Sequence, residues 1–283
     1  MTVLVFGSVR SCGVTTMASA IAATWPVDRR VVLLELDQAG GTLAAAAGWP
    51  AEPSLVTLAA AGRRGSDPAL VWEHCQRLPG GHPVLAAPAS PELARSALAM
   101  LPWLPPHLGE LEADVLVDCG RVDFQSPEMA VLDGADRIVL AARPRLADLH
   151  ALATWGETRS WETVALVTIG DGPYPDSEIS DALGIEVLGR LPWDPDAADA
   201  LMTLPVTDRR LRLAPLARCA RSLADHLAGT AIISSSIPEV TAEGVLSGRT
   251  PLLRSLPSRM LRSWRATPGG GATNRTTPEG VTR

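Results

Sequence analysis

Short apolar runs alternate with longer Ala- and Leu-rich segments along the first 228 residues. The apolar runs lie at 3–6, 31–37, 84–87, 113–120, 135–144, 164–169 and 185–194. Helical patterns lie between them, near 15–24, 42–62 (two pieces split at Gly48), 67–78, 92–100, 146–155, 178–183, 197–204 and 216–227. Near-continuous apolar strands that alternate with helices are typical of a parallel sheet covered on both faces. We therefore predict an α/β fold: one doubly wound, mostly parallel sheet of about seven to eight strands flanked by helices.

The pattern ends near Gly229, and residues 229–283 are rich in Ser, Thr, Pro and Gly. This composition predicts a mostly disordered tail behind a single domain at 1–228. The tail contains one basic amphipathic stretch, 251–265, in which Arg254, Arg259, Arg262 and Arg265 alternate with apolar residues. Such a segment can lie on an anionic membrane surface or dock on a partner, while a plain solvated tail is the simpler alternative.

Composition narrows the class of protein. The formal net charge is −6, which does not favour a surface that coats nucleic acid, although a local basic patch stays open. Four widely spaced cysteines without a CxxC pair indicate reduced thiols in a cytoplasm. No run reaches the roughly 20 apolar residues that span a bilayer. We expect a cytoplasmic protein that can also sit peripherally at the inner face of the cell membrane.

The pattern of residues 3–24 predicts a strand, a loop and a helix. Its loop contains Gly7 and Gly13, and the helical pattern resumes near Thr15. In such a unit, the backbone N–H groups of the loop and of the helix N-terminus converge on one point and can bind an anion. The P-loop motif, which binds nucleotide phosphates, ends in Gly-Lys-Ser/Thr. Here the order is Gly13-Val14-Thr15-Thr16, and all 25 residues of the Lys-plus-Arg count are arginines.

Carboxylates follow two other apolar runs. Glu35 and Asp37 end the second run, and Asp118 precedes Cys119 and Gly120 at the end of the fourth. Open α/β sheets bind ligands beyond the carboxyl ends of their strands. A carboxylate at that edge can hold Mg²⁺ directly or through water, although strand-end and turn acids without a ligand are common.

Together these motifs resemble the MinD/ParA family of deviant-Walker P-loop ATPases. The resemblance covers about residues 1–228 and rests on four stretches in family order. They are the loop ending at Thr16, the strand ending at Asp37, the strand ending at Gly120, and the segment 188–194 (Leu-Gly-Arg-Leu-Pro-Trp-Asp). A member of this family binds ATP or ADP with Mg²⁺ and works as a homodimer with a protein partner or cargo.

The resemblance implies a role for each candidate residue. Phosphate and nucleotide contacts fall on Ser8, Arg10, Ser11, Cys12, Gly13, Val14, Thr15, Thr16, Pro192 and Asp194. The metal set is Thr15, Asp118 and Glu35, and Asp37 is the residue that positions the attacking water. Thr168 stands where the family often has an asparagine that reads the base. N-capping for the threonines and a turn for Asp194 remain the simpler interpretations.

The departures from the family concern charge. Both family lysines of the loop are absent, because Val9 and Val14 stand at their positions. If the loop is one residue shorter, Arg10 could replace the first lysine. Losing a charge-assisted phosphate contact costs about 1.5–3 kcal/mol, so we expect weak or absent nucleotide binding and slow turnover.

The resemblance implies a protein that acts in positioning, in partitioning, or in the regulation of cell division or of an envelope machine. One alternative is a pseudo-ATPase that serves as a dimerisation and docking platform without turnover. A metabolic enzyme of the cobyrinate amidase or dethiobiotin synthase type shares the fold but usually keeps the lysine, and it ranks last.

Overall fold

A computed structural model describes residues 1–122, 129–156 and 163–234. Its strands are β1 Val3–Ser8, β2 Val31–Glu35, β3 Gln76–Arg77, β4 Pro83–Leu85, β5 Asp114–Arg121, β6 Arg137–Ala142, β7 Val164–Ile169 and β8 Glu186–Leu191. Its helices are α1 Val14–Ala23, α2 Leu43–Ala47, α3 Leu55–Gly62, α4 Leu70–Glu73, α5 Pro91–Ala99, α6 Leu104–His107, α7 Met129–Asp133, α8 Leu146–Gly156, α9 Asp176–Leu183, α10 Pro195–Thr203, α11 Arg209–Leu213 and α12 Pro215–Ser234. A short 3₁₀ helix follows α6 at Leu108–Glu110.

The strands form one eight-stranded sheet in the order β3-β4-β2-β5-β1-β6-β7-β8. Every pairing is parallel except that of β3 with β4, which is antiparallel. The parallel strands therefore end at one edge, where β1 lies between β5 and β6. This arrangement confirms the predicted doubly wound α/β fold and brings the loop after β1 beside the acids that end β2 and β5.

Two apolar clusters cover the two faces of the sheet. Side chains that alternate along β1 divide between them: Val3 and Val5 join one cluster, and Leu4 and Phe6 join the other. The second cluster contains Val14, together with most of α1 and the inward face of α12. Apolar burial on both faces explains why the central strands read as continuous apolar runs rather than alternating ones.

At the edge of the sheet where the parallel strands begin, a buried carboxylate joins the sheet to two helices through hydrogen bonds. Asp114, the first residue of β5, accepts hydrogen bonds from Trp25 Nε1 at 2.9 Å and from the guanidinium of Arg29 at 2.5 and 2.6 Å. Arg29 also donates to the carbonyl oxygen of Ala228 in α12 at 2.8 Å. This network fixes α12 and the end of α1 against the centre of the sheet.

Two parts of the sequence-based prediction differ from the structure. The helix predicted at 67–78 is wrong, because only Leu70–Glu73 is helical and Gln76–Arg77 pairs with β4 as an edge strand. A hydrogen bond from Leu78 N to His82 O closes the turn that makes this hairpin. The last helix extends past the predicted boundary at 228 to Ser234. The amphipathic stretch 251–265 lies outside the described residues.

Candidate nucleotide-binding site

The loop between β1 and α1 turns sharply at Gly13. This residue has φ +101°, a conformation that a side chain would strain, and α1 begins directly after it at Val14. Gly13 offers no side chain to cap the helix. The first N–H groups of α1 are therefore directed out of the helix end beside the loop, which is the arrangement that suits an anion.

The side chains of the loop divide into buried and exposed ones. Ser8 and Cys12 are buried, and Arg10 and Ser11 are exposed. Burial raises the pKa of the Cys12 thiol to about 11, so this side chain is a neutral packing group at neutral pH. Val14 is only 4% exposed and belongs to the core cluster beneath α1.

Asp118 lies under the loop and is completely buried. Its Oδ1 accepts a hydrogen bond from Gly120 N at 2.8 Å, and the side chain also bonds Thr15. Its Oδ2 is buried and has no hydrogen-bond partner in the part of the chain that the structure describes. A buried carboxylate oxygen without a partner beside a threonine hydroxyl fits a divalent cation, so the residues present are compatible with Mg²⁺.

The carboxylate of Glu35 accepts three hydrogen bonds from backbone N–H groups. Oε1 accepts from Thr42 N at 2.7 Å and from Leu43 N at 3.1 Å, and Oε2 accepts from Ala87 N at 2.9 Å. These bonds join the loops that follow β2 and β4. The observed contacts are therefore structural, and a role for Glu35 near a metal stays a prediction.

The two buried acids are neighbours in the sheet, since Glu35 pairs with Asp118 in the register of β2 and β5. Removal from water raises the pKa of Glu35 to about 7 and that of Asp118 to about 6. Hydrogen bonds from backbone N–H groups oppose the rise at both residues. A cation at this edge would stabilise the charged forms.

Asp37 lies above the end of β5. A β-carbon built on Gly120 would come within 2.0 Å of Asp37 Oδ2, and Gly120 itself has φ +59°. Any side chain at position 120 would therefore displace Asp37. Asp37 Oδ1 accepts from Ala39 N at 2.7 Å, and partial burial raises the pKa of this carboxyl. The structure thus brings Asp37 and Asp118 to one place.

A cavity of about 210 Å³ opens beside the loop. Among the residues that line it are Cys12, Gly13, Thr16, Pro192 and Asp194. The predicted loop and base segments therefore meet at one cavity. Asp194 also accepts from Ala197 N at 3.1 Å as the N-cap of α10, so the turn interpretation of this residue describes its observed contact.

Thr168, the position at which the resemblance implies base recognition, belongs to a small hydrogen-bond network. Thr168 is fully buried and donates to Asp176 Oδ1 at 2.9 Å. Arg190 donates to the same oxygen at 2.6 Å. The Thr168 hydroxyl proton is thereby engaged in the interior of the protein.

Sequence reasoning assigned no side-chain role to two residues at this edge. Trp193 lines the cavity and is 62% exposed, and the guanidinium of Arg143 lies 5.5 Å from its ring centre. An exposed tryptophan after a strand carries no local sequence signal. Only the packing of the loops after β6 and β8 brings these residues to the phosphate loop.

The described residues contain neither a cluster of metal-binding side chains nor a membrane-spanning helix. Within residues 1–122, 129–156 and 163–234, no three His, Cys, Asp or Glu side chains group as a metal site. A site made of one carboxylate, one hydroxyl and a nucleotide would not need such a group. Among the described helices, none has the length and apolar character required to cross a membrane.

Asp118→Asn tests the burial of this carboxylate. The pKa rises from 3.8 to about 6 on folding, so between these values the folded state binds more protons than the unfolded state. The unfolding free energy of the unmodified chain then falls as pH rises through this window. We expect urea unfolding to show that Asp118→Asn gains stability relative to the unmodified chain between pH 4 and pH 7.

Asp225→Asn is the matched control, because Asp225 is exposed on α12. Its difference from the unmodified chain should stay nearly constant with pH. An equally flat difference for Asp118→Asn would contradict the buried environment of this carboxyl group.

The fold is similar to the solved structures of several partition and division ATPases. A ParA family ATPase from Chlorobium tepidum has a TM-score of 0.67 and 18% identity, over 80% of this chain and 99% of that one. MinD from Pyrococcus horikoshii, complexed with Mg-ADP, has a TM-score of 0.64 and 17% identity, over 83% and 99%. MinD in the MinC:MinD complex of Aquifex aeolicus has a TM-score of 0.62 and 14% identity, over 85% and 99%.

No family model and no curated protein matches the sequence. At these low sequence identities the likeness shows the fold alone. It extends over nearly the whole length of each of these structures. The chain has the fold of the MinD and ParA family of P-loop ATPases.

Proposed function

We propose that this chain is a MinD/ParA-like nucleotide-binding protein with a reduced phosphate loop. It binds ATP or ADP with Mg²⁺ weakly and turns ATP over slowly. The observation that carries the proposal is the combination of a buried, half-satisfied Asp118 with a helix that begins at Val14 rather than lysine. The acidic half of a nucleotide site is combined with a basic half that lacks the lysine of the loop.

The acidic half supports metal binding. Thr15 and Asp118 Oδ2, which has no partner among the described residues, would hold Mg²⁺. When bound, the metal would neutralise phosphate charge. Asp37, over Gly120, would orient water at the same edge. Gly13 and the first turn of α1 would offer backbone N–H groups to the phosphates.

The basic half is reduced. Val14 is packed in the core, and the chain has no lysine that could replace it. The lost contact corresponds to about one to two decades in affinity. The loss of charge neutralisation in the transition state would slow hydrolysis further, by analogy with arginine fingers, which contribute about 10³-fold or more.

The cellular role follows from the fold neighbours, and we offer it as part of the same proposal. Those neighbours include a ParA family ATPase and a MinD that forms a complex with MinC. This chain would act in positioning, partitioning or cell-division control, as a homodimer that engages a protein partner. The site would serve to sense nucleotide rather than to support rapid hydrolysis.

The second candidate is a pseudo-ATPase platform for docking and dimerisation. The burial of Val14 favours it, because an apolar residue has replaced the phosphate-facing side chain and joined the core. In this case the acids at the sheet edge would remain only as structural groups. Nucleotide binding separates the two candidates.

Val14→Lys tests the lost charge directly. We expect calorimetry to show that Val14→Lys binds Mg-ADP about 10- to 100-fold more tightly than the unmodified chain, because it restores a cation at the loop. Val14→Met is the matched control, since it has similar length and no charge. It should bind as weakly as the unmodified chain.

Circular dichroism establishes whether both variants fold. If folded Val14→Lys binds Mg-ADP no more tightly than Val14→Met, the loop is not a phosphate site that lacks charge. If the unmodified chain shows no heat with Mg-ADP and Val14→Lys also shows none, the platform candidate is favoured.

The tail supplies a separate proposal of peripheral membrane contact. Residues 251–265 combine four arginines with Leu, Met and Trp side chains, which suits an anionic membrane surface. We expect the full chain to sediment with anionic vesicles and a chain ending at Ser234 to stay in solution. Replacing Arg254, Arg259, Arg262 and Arg265 by glutamine should have the effect of truncation. A full chain that fails to sediment with anionic vesicles would refute the proposal.

A further inference from the structure

A cation and an aromatic ring meet above the phosphate loop. Arg143 follows β6 directly, and Trp193 lies two residues after the end of β8. The Arg143 Cζ atom lies 5.5 Å from the centre of the Trp193 ring. A β-carbon built on Gly13 would lie 4.0 Å from Trp193 Cζ3. The indole therefore lies close to both the guanidinium and the loop.

The exposure of this indole calls for an explanation. Trp193 is 62% exposed, while Trp25 and Trp155 are almost completely buried. It also lines the cavity that contains Gly13 and Thr16. A large aromatic side chain held at the rim of a cavity is more typical of a ligand contact than of a packing residue.

Arg143 reaches the loop electrostatically as well. Its charge acts on the Cys12 thiol, where it opposes the rise in pKa caused by burial. Among the described residues, the structure gives the guanidinium no hydrogen bond and no ion pair, only the ring of Trp193. A guanidinium in this state retains its N–H donors for an incoming anion.

Arg10 is less well placed for this task. It is exposed and lies with Val9 at a small cavity against β6 and α8, which Asp148 also lines. Arg143 instead lies against the ring of Trp193, and Trp193 lines the larger cavity beside the loop. Of these two arginines, Arg143 is therefore the one that contacts a residue of that cavity.

We propose that Arg143 supplies, from the loop after β6, the phosphate-binding cation that position 14 lacks, and that Trp193 positions it. This inference rests on the proposed nucleotide binding. The ligand class is a nucleoside di- or triphosphate, whose phosphates accept paired N–H bonds from a guanidinium. The cation comes from a different strand than in a lysine-containing loop, so the site keeps its charge by another route.

Calorimetry with ADP and with adenosine tests the assignment. Arg143→Gln weakens ADP binding about 10- to 100-fold and leaves adenosine binding unchanged, because adenosine has no phosphate. Arg143→Lys retains part of the ADP affinity. Arg145→Gln, an exposed position on the same loop, leaves both affinities unchanged. Trp193→Ala weakens ADP binding more than Trp193→Phe does, because phenylalanine keeps a ring beneath the guanidinium.

The outcomes separate this inference from the proposed function. If the unmodified chain binds ADP and Arg143→Gln binds it equally well, the assignment of Arg143 is wrong while nucleotide binding stands. Equal losses for ADP and adenosine would also overturn it, since they indicate a general change of the pocket. If the unmodified chain binds neither compound, both the assignment and the proposed function fail.

Discussion

Two buried carboxylates beneath a loop without lysine set the chemistry of this protein. Glu35 and Asp118 end neighbouring strands at the sheet edge, and burial raises the pKa of both. Glu35 meets this cost with three backbone hydrogen bonds that join two loops. Asp118 leaves one oxygen without a partner in the described residues. A cation bound at this edge would therefore favour the charged form of Asp118.

The loop above these acids keeps its shape through the backbone rather than through side chains. Gly13 makes the turn and α1 directs its first N–H groups outward. These features involve no lysine side chain, so the geometry of the loop does not depend on one. Val14 then adds to the core that holds α1 on the sheet. The shape of the loop and its charge are therefore set by different groups, which is compatible with both proposed functions, a weak nucleotide site and a docking platform.

The sequence predicted those features that follow from local pattern. Continuous apolar strands gave the parallel sheet, and Asp37 and Asp118 were expected at its carboxyl edge, where they lie. The hairpin formed by Gln76–Arg77 was missed, because two residues are too few to show a strand period. The contacts of Glu35 were missed because its three donors lie on segments after two different strands. The contact between Arg143 and Trp193 was missed for the same reason, since only tertiary packing joins these side chains.

A crystal structure grown with saturating Mg-ADP tests the central claim most directly. The account predicts phosphate density over Gly13 and the first turn of α1, with a metal ion near Thr15 and Asp118 Oδ2. A loop that holds only water at saturating Mg-ADP, with Trp193 unmoved over Gly13, would contradict it.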